Sequence, residues 1–324
     1  MAPLGIGLIG LGRHGMRYVR HLSDMPPDAR LVAVCRRDVD RGRAVASQQG
    51  VKFFREYGEL IADPLVGAVV VASPPSLCLP ICLAAVRAGK PMLIEKPLAC
   101  TGADARAMVR AAGAAGVPLM TAHTLRFDRA ILALKSQLAA VGARRYLVLT
   151  NRVEPRPEVV RDPRDYGGRG VLLEIGIHLL DLVRFLTGEE VAEVRCELER
   201  PSPKSAELRA LASLRTAGGL PCIVDVSRMT GGRVSRAEWI GADGQLNADW
   251  VHHRVRKVSA GNVAAEQEVE DVPTVEEVLR AFVGALARGA PMPVTGLDGQ
   301  RAVEIADACY ASAESGGPVR LDTK

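Results

Sequence analysis

Apolar residues fall in short runs through the first third of the chain. The segments 4–9, 31–35, 68–72, 92–95 and 119–122 are brief and apolar, as expected of strands buried on both faces of a sheet. Between them the apolar positions recur at helical spacing: after the glycines at 10–15 through Tyr18, Val19 and Leu22, then near 39–48, 77–88 and 102–115. Strand and helix in alternation predict a parallel sheet covered by helices on both faces. Further along, residues 146–150, 193–198, 210–214, 222–226 and 237–240 read as strands, with turn signals such as Ala217-Gly218-Gly219 and Ala242-Asp243-Gly244 between them.

A chain of 324 residues exceeds the usual size of one domain, so two cores are expected. Its 48% hydrophobic and 24% charged residues describe an ordinary globular protein, and no stretch approaches the roughly 18 uninterrupted apolar residues of a membrane span. The opening MAPLGIGLIGLG lacks the features of a secretory signal. Seven cysteines, Cys35, Cys78, Cys82, Cys100, Cys196, Cys222 and Cys309, stand in apolar surroundings without a CxxC pair, which predicts reduced thiols and a cytoplasmic protein. The net charge of +5 comes from arginines interleaved with acids, with no basic tail or aromatic platform; neither a nucleic acid nor a membrane is expected as partner.

The sequence GLGRHG follows the first strand and opens a helix. In that setting Gly10 makes the tight turn, Gly12 lets the backbone approach a pyrophosphate, and Gly15 lets helix and strand pack closely; the amides near Arg13 and His14 face the phosphates. An acid at the end of the second strand would bind the ribose of NAD, but Cys35 is followed there by Arg36 and Arg37. An arginine fork holds a 2′-phosphate well, so NADP is expected, with NAD possible because Asp38 stands close enough to serve a ribose.

A second feature is LIEKPLAC at 93–100, a lysine set in a chain whose positive charge is mostly arginine. Lys96 would lie at the carboxyl end of a sheet strand, where α/β proteins bind ligands, as a compact donor to a substrate oxygen. Glu95 would face the nicotinamide ribose or anchor the turn, and Pro97 makes a cis bond accessible. A third is the run from Glu174 through His178 to Asp181. On a helix these three share one face, and a histidine flanked by carboxylates suits proton transfer near neutral pH. A core histidine among first-turn acids is the plainer alternative.

With IEKPL placed after such a strand, the chain resembles the Gfo/Idh/MocA family of glucose–fructose oxidoreductases and inositol dehydrogenases. The resemblance runs through GLIGLGRHG, VVVASPPSLCLPICLAAVRAGKPMLIEKPL, TAHTLRF, GVLLEIGIHLLDLVRFLTG, IGADGQL and the closing VEEVLRAFVGALARG. It implies an α/β Rossmann nucleotide-binding domain (residues 1–122) followed by an α+β domain (123–324) with a large open, mainly antiparallel sheet. It also implies a substrate cleft between them and homodimers or homotetramers formed through the open sheet face. By resemblance His178 is the general acid/base, Glu174 stands where many relatives have aspartate, and Asp181 is the acid that follows the histidine. Ser73, Pro74 and Pro75 match the loop that lines the cofactor, with Cys78 where relatives often have histidine. His123 and Arg126 are carried as neighbours of nicotinamide or substrate; the alternative for Arg126 is a pairing with an interdomain acid.

The loop RDPRDYGGR at 161–169 leads into the candidate helix, and Arg161, Arg164 and Tyr166 are placed to meet substrate. His252 and His253 lack partners at metal spacing, so no metal is assigned. These observations predict an NADP-dependent oxidoreductase moving hydride between the cofactor and a secondary alcohol or carbonyl of a sugar, inositol or related polyol. The alternatives are a non-catalytic NADP-binding sensor or scaffold of the same fold, and a reductase of a dihydrodiol or a biosynthetic keto-sugar.

Overall fold

A computed structural model of the chain describes residues 3–24, 28–155 and 163–323. The chain forms two compact units: Met1–His123 with Val275–Gln300, and Thr124–Thr274 with Arg301–Lys324.

The first unit is built on six parallel strands: β1 (Leu4–Ile9), β2 (Ala29–Cys35), β3 (Lys52–Phe54), β4 (Ala68–Val71), β5 (Met92–Glu95) and β6 (Leu119–Ala122). Their order is β3-β2-β1-β4-β5-β6. Every residue of β4, β5 and β6 is buried, which is why these strands read as unbroken apolar runs instead of alternating. Five helices connect the strands: α1 (Arg13–Ser23), α2 (Val39–Gln49), α3 (Tyr57–Ala62), α4 (Cys78–Arg87) and α5 (Gly102–Ala114). Local chemistry sets their ends. Asp38 caps α2 by accepting from the Arg41 amide, and Thr101 caps α5 by accepting from the Asp104 amide.

The second unit carries a nine-stranded sheet: β7 (Arg144–Arg152), β8 (Val191–Glu199), β9 (Arg209–Thr216), β10 (Pro221–Ser227), β11 (Val234–Gly241), β12 (Gln245–Asp249), β13 (Arg254–Ser259), β14 (Asn262–Glu268) and β15 (Val319–Arg320). The order is β14-β13-β12-β11-β7-β10-β9-β8-β15, antiparallel throughout except where β10 runs parallel to β7. Burial alternates along its strands. In β9, Ala210, Ala212 and Leu214 are buried while Arg209, Ser213 and Arg215 are exposed, the period of a sheet with one covered face. Helices α6 (Arg129–Ser136) and α7 (Ile177–Thr187) pack against this sheet, while Tyr146 and Ile223 remain exposed.

The expected α/β unit and the large, mainly antiparallel sheet are both present. A single boundary after residue 122 does not describe the contacts. Helix α8 (Thr274–Arg288) and the segment up to Gln300 group with the first unit almost entirely, and α9 (Gly296–Ser315) begins there. A short antiparallel bridge from Met120 to Thr295, with the Thr121 amide donating to the Val294 carbonyl at 3.3 Å, ties this later segment to the edge strand β6. Among the described residues no helix is long and apolar enough to cross a membrane. All seven cysteines are free and buried.

Candidate active site

The three glycines at the end of β1 meet three different environments. Gly10 has φ +98°, a left-handed conformation that favours glycine, and a Cβ there would stand 2.6 Å from the Ala72 carbonyl oxygen. Gly15, in the first turn of α1, would put a Cβ 1.9 Å from the Gly10 carbonyl oxygen, so only glycine allows helix and strand to approach this closely. A Cβ on Gly12 would meet nothing within 4 Å. Gly12 caps α1 without a side-chain acceptor, so no side chain of the cap stands between the helix N-terminus and a ligand, and a helix N-terminus approached this way suits a pyrophosphate.

A cavity of about 400 Å³ opens from this loop; Gly10, Gly12, Arg36, Arg37, Ser73 and Pro74 are among its lining residues. The Arg36 guanidinium donates to the Leu11 carbonyl and lies 3.8 Å from the Asp38 carboxylate. Asp38 is already engaged as the cap of α2, with Arg41 Nε 3.5 Å from its second oxygen. Three lining residues not anticipated from sequence, Arg55, Glu56 and Tyr57, come from the bend that follows β3 and from the first residue of α3. A three-residue strand leaves too short a pattern to read. The Ser73 hydroxyl donates to the Ile9 carbonyl at 3.4 Å, and the Cys78 thiol turns inward to the Pro74 carbonyl at 3.7 Å. Cys78 is buried, and burial pushes its thiol far above the ordinary range. Arg13 is exposed and His14 half-buried at the start of α1.

At the end of β5, both oxygens of buried Glu95 are used inside the protein. One accepts from the Tyr18 hydroxyl at 2.9 Å and the other from the Lys96 amide at 3.2 Å. Desolvation raises the Glu95 carboxyl above its usual range, opposed by the Lys96 charge. This is the geometry of an acid that anchors its own turn, the second of the two expectations for Glu95. Lys96 is half-buried and its bond to Pro97 is cis. His123, at the end of β6, is 1% exposed, and both its ring nitrogens are buried.

In the second unit the helix bearing Glu174 and His178 departs from simple expectation. Leu172–Gly176 forms a π-helical turn before α7 continues as an α-helix. Such wide turns recur at functional sites, because they re-aim the side chains that follow. His178 is half-buried, with Nδ1 inside the protein. Its two acidic neighbours are each held by an arginine. Arg228 donates to Glu174 at 2.8 Å, both side chains being about 15% exposed (14% and 15%). Arg126 grips Asp181 in a bidentate pair at 2.7 and 2.8 Å and lies 5.2 Å from the Phe185 ring. The acid that Arg126 meets thus belongs to the same unit and to the helix that carries the histidine. Arg228 was not anticipated: it stands 54 residues from Glu174 in sequence, at the end of β10, with no local motif to mark it.

Tyr166 closes a 3-10 turn, Pro163–Tyr166, and Arg164 is exposed. Arg161 lies outside the described residues. Among the described residues no cluster of three or more histidine, cysteine or acidic side chains could hold a metal.

Residues 4–123 match the family model described as "Oxidoreductase family, NAD-binding Rossmann fold", and residues 143–247 match the GFO/IDH/MocA C-terminal domain. The chain is 32% identical over 327 aligned positions to inositol 2-dehydrogenase 1 of Saccharopolyspora erythraea, covering 98% of this chain and 96% of that protein. It is 31% identical to myo-inositol 2-dehydrogenase of Thermotoga maritima, with 98% of each covered. Among solved structures, aldose-aldose oxidoreductase from Caulobacter crescentus, complexed with glycerol, superposes with a TM-score of 0.87 at 25% identity, over 98% of this chain and all of that one. The glycine loop that opens α1, the half-buried lysine after β5 and the histidine on its interrupted helix therefore sit in a chain that matches its relatives over nearly its whole length, and that chain belongs to the Gfo/Idh/MocA family of oxidoreductases, nicotinamide-dependent dehydrogenases acting on CH–OH groups.

Proposed function

We propose that the chain is an NADP-dependent oxidoreductase that moves hydride between the cofactor and a secondary alcohol, or the matching carbonyl, of a sugar, inositol or related polyol. The observation that carries the cofactor choice is Arg36. Its guanidinium lines the dinucleotide cavity, and the acid beside it, Asp38, is already engaged as a helix cap. A planar cationic fork with neighbouring Arg37 suits a 2′-phosphate, whereas NAD recognition calls for an uncommitted carboxylate at this place. The substrate class follows the full-length similarity to two inositol dehydrogenases and to an aldose oxidoreductase.

When bound, the nicotinamide supplies the carbon that accepts or returns hydride. The chain does the rest. Gly10, Gly12, Arg13, His14 and Gly15 hold the pyrophosphate, Arg36 and Arg37 the 2′-phosphate, and Ser73 and Pro74 line the approach to the nicotinamide. Lys96 donates a hydrogen bond to the substrate oxygen and stabilises the charge that develops there. His178 takes the hydroxyl proton in oxidation and gives it back in reduction. Glu174, held by Arg228, accepts hydrogen bonds from substrate hydroxyls beside the histidine. Arg126 acts through Asp181, since two of its donors are committed there. His123 and Tyr166 border substrate and nicotinamide.

Residues 1–122 serve the dinucleotide and residues 123–324 the substrate and self-association. The exposed Tyr146 and Ile223 on the sheet support a homodimer or homotetramer formed there. Seven buried free thiols support a reducing, cytoplasmic setting.

Fluorescence titration with NADPH and NADH at one salt concentration, followed by turnover on myo-inositol and a panel of aldoses, tests the reading. NADPH is expected to bind more tightly, and Lys96→Met and His178→Ala to abolish turnover while binding the cofactor as the wild type does. Tighter NADH binding would overturn the cofactor assignment, and turnover retained in both variants would overturn the residue roles.

A further inference from the structure

The turn that begins the histidine-bearing helix is held by an acid from elsewhere in the chain. Glu207, in the segment before β9, has no exposed surface. Its Oε2 accepts from the Gly170 amide at 2.9 Å, and its Oε1 from the Leu172 amide at 3.0 Å and the Tyr310 hydroxyl at 2.7 Å. Its backbone carbonyl accepts from the Val171 amide at 3.0 Å. Three successive amides, those of residues 170, 171 and 172, are thereby satisfied by one residue. The approach is so close that a Cβ on Gly170 would stand 2.1 Å from the Glu207 carbonyl oxygen.

The first amides of a helix have no partner within it, and whatever satisfies them fixes where the helix starts. Here the restraint continues into the site. The Glu174 amide donates to the Gly170 carbonyl at 3.0 Å, so the residue gripped by Glu207 is also the hydrogen-bond base of Glu174. The clamp has its own support. Arg200 lies 3.9 Å from Glu207, and burial beside the Glu207 carboxylate pushes the Tyr310 hydroxyl far up, which keeps it a donor. Arg169, next to the gripped glycine, donates to Asp307 at 2.5 Å and stacks 4.6 Å over the Tyr310 ring.

We propose that Glu207, braced by Tyr310, is a positioning residue that sets the register of the π-turn and so aims Glu174 and His178 at the substrate. The inference rests on the roles given above to those two side chains. An acid that merely stabilised the unit would affect all of it alike. A positioning acid acts first on 169–178.

The test uses the full-length protein as wild type, Glu207→Ala, Glu207→Gln, Tyr310→Phe and His178→Ala. Histidine-ring NMR, with His178→Ala identifying the His178 signal, and hydrogen exchange by mass spectrometry are read without any substrate. Turnover is then measured with myo-inositol and the preferred dinucleotide. In Glu207→Ala, exchange over residues 169–176 should rise about 100-fold from the loss of two charge-assisted bonds, and the His178 signal should move. Glutamine, which keeps one acceptor oxygen, should restore part of both effects, and Tyr310→Phe should show a smaller change in the same direction. A displacement near 1 Å predicts that kcat falls about 100-fold in Glu207→Ala with the dinucleotide KM unchanged. If Glu207→Ala does not fold, Glu207→Gln and Tyr310→Phe decide. Wild-type exchange and an unmoved His178 signal in those folded variants would overturn the proposal. Full turnover in His178→Ala would instead overturn the role of the histidine, whatever the exchange data give.

Discussion

Two alanine substitutions in the glycine loop, three residues apart in the chain, separate packing from ligand binding. In Gly15→Ala the new Cβ would stand 1.9 Å from the Gly10 carbonyl oxygen and 2.9 Å from its carbon. Both are backbone atoms, so α1 and the end of β1 must separate by about 1.5 Å to reach ordinary contact near 3.4 Å. Overpacking of this kind costs about 3 kcal/mol, and alanine returns about 1 kcal/mol in helix propensity. The net loss is about 2 kcal/mol, which lowers Tm by roughly 4–8 °C. In Gly12→Ala the Cβ meets nothing within 4 Å, and φ −76° with ψ −171° is open to alanine. Stability should stay within about 0.5 kcal/mol of wild type. The methyl group would instead stand where a pyrophosphate must approach the amides of α1. Weakening one or two charge-assisted bonds, about 2–3 kcal/mol, predicts about 30- to 150-fold weaker dinucleotide binding. Thermal melts and NADPH fluorescence titration of both variants measure the two quantities. Wild-type NADPH affinity in Gly12→Ala would refute the assignment of this loop to the pyrophosphate, and an unchanged Tm in Gly15→Ala would refute the packing account.

Other predictions concern the supports of the fold. Arg126→Met removes the bidentate arginine from Asp181, which is only 1% exposed; a loss of about 3–5 kcal/mol is expected in urea unfolding, with partial recovery in Arg126→Met/Asp181→Asn. The hydrogen bond from Lys52, with that from the Leu65 amide, holds the Asp63 carboxyl below its usual range. Its stabilisation is therefore present above the unfolded pKa near 3.9 and lost as pH falls through the lower folded value, so the Tm gap between wild type and Asp63→Asn should narrow with acidification below about pH 4. Burial pushes the thiols of Cys35 and Cys82 up to about 12. The native protein should consequently show no fast-reacting thiol toward Ellman's reagent at pH 8, and all seven cysteines should react in guanidinium chloride.

Much of the architecture is local and was therefore legible. The runs that became β1, β2, β4, β5 and β6 are apolar because both faces of a parallel sheet are covered, and that leaves its mark on the sequence whatever the neighbours are. The glycine loop is legible for the same reason: Gly10 and Gly15 answer backbone constraints set within a few residues or by the adjoining strand. Lys96, flanked by Glu95 and Pro97 after a buried strand, stood out by its local setting.

Tertiary structure alone decided which charges meet. Glu174 finds Arg228, Asp181 finds Arg126, and Glu207 finds Gly170, Leu172 and Tyr310 across separations of 54, 55, 37, 35 and 103 residues. No periodicity records such pairings, because a polar side chain is specified by the partner that desolvation forces on it, and the partner is chosen by the packing of whole elements. The return of residues 275–300 to the first unit has the same origin. An amphipathic helix encodes that one face will be buried, and says nothing of which surface will cover it.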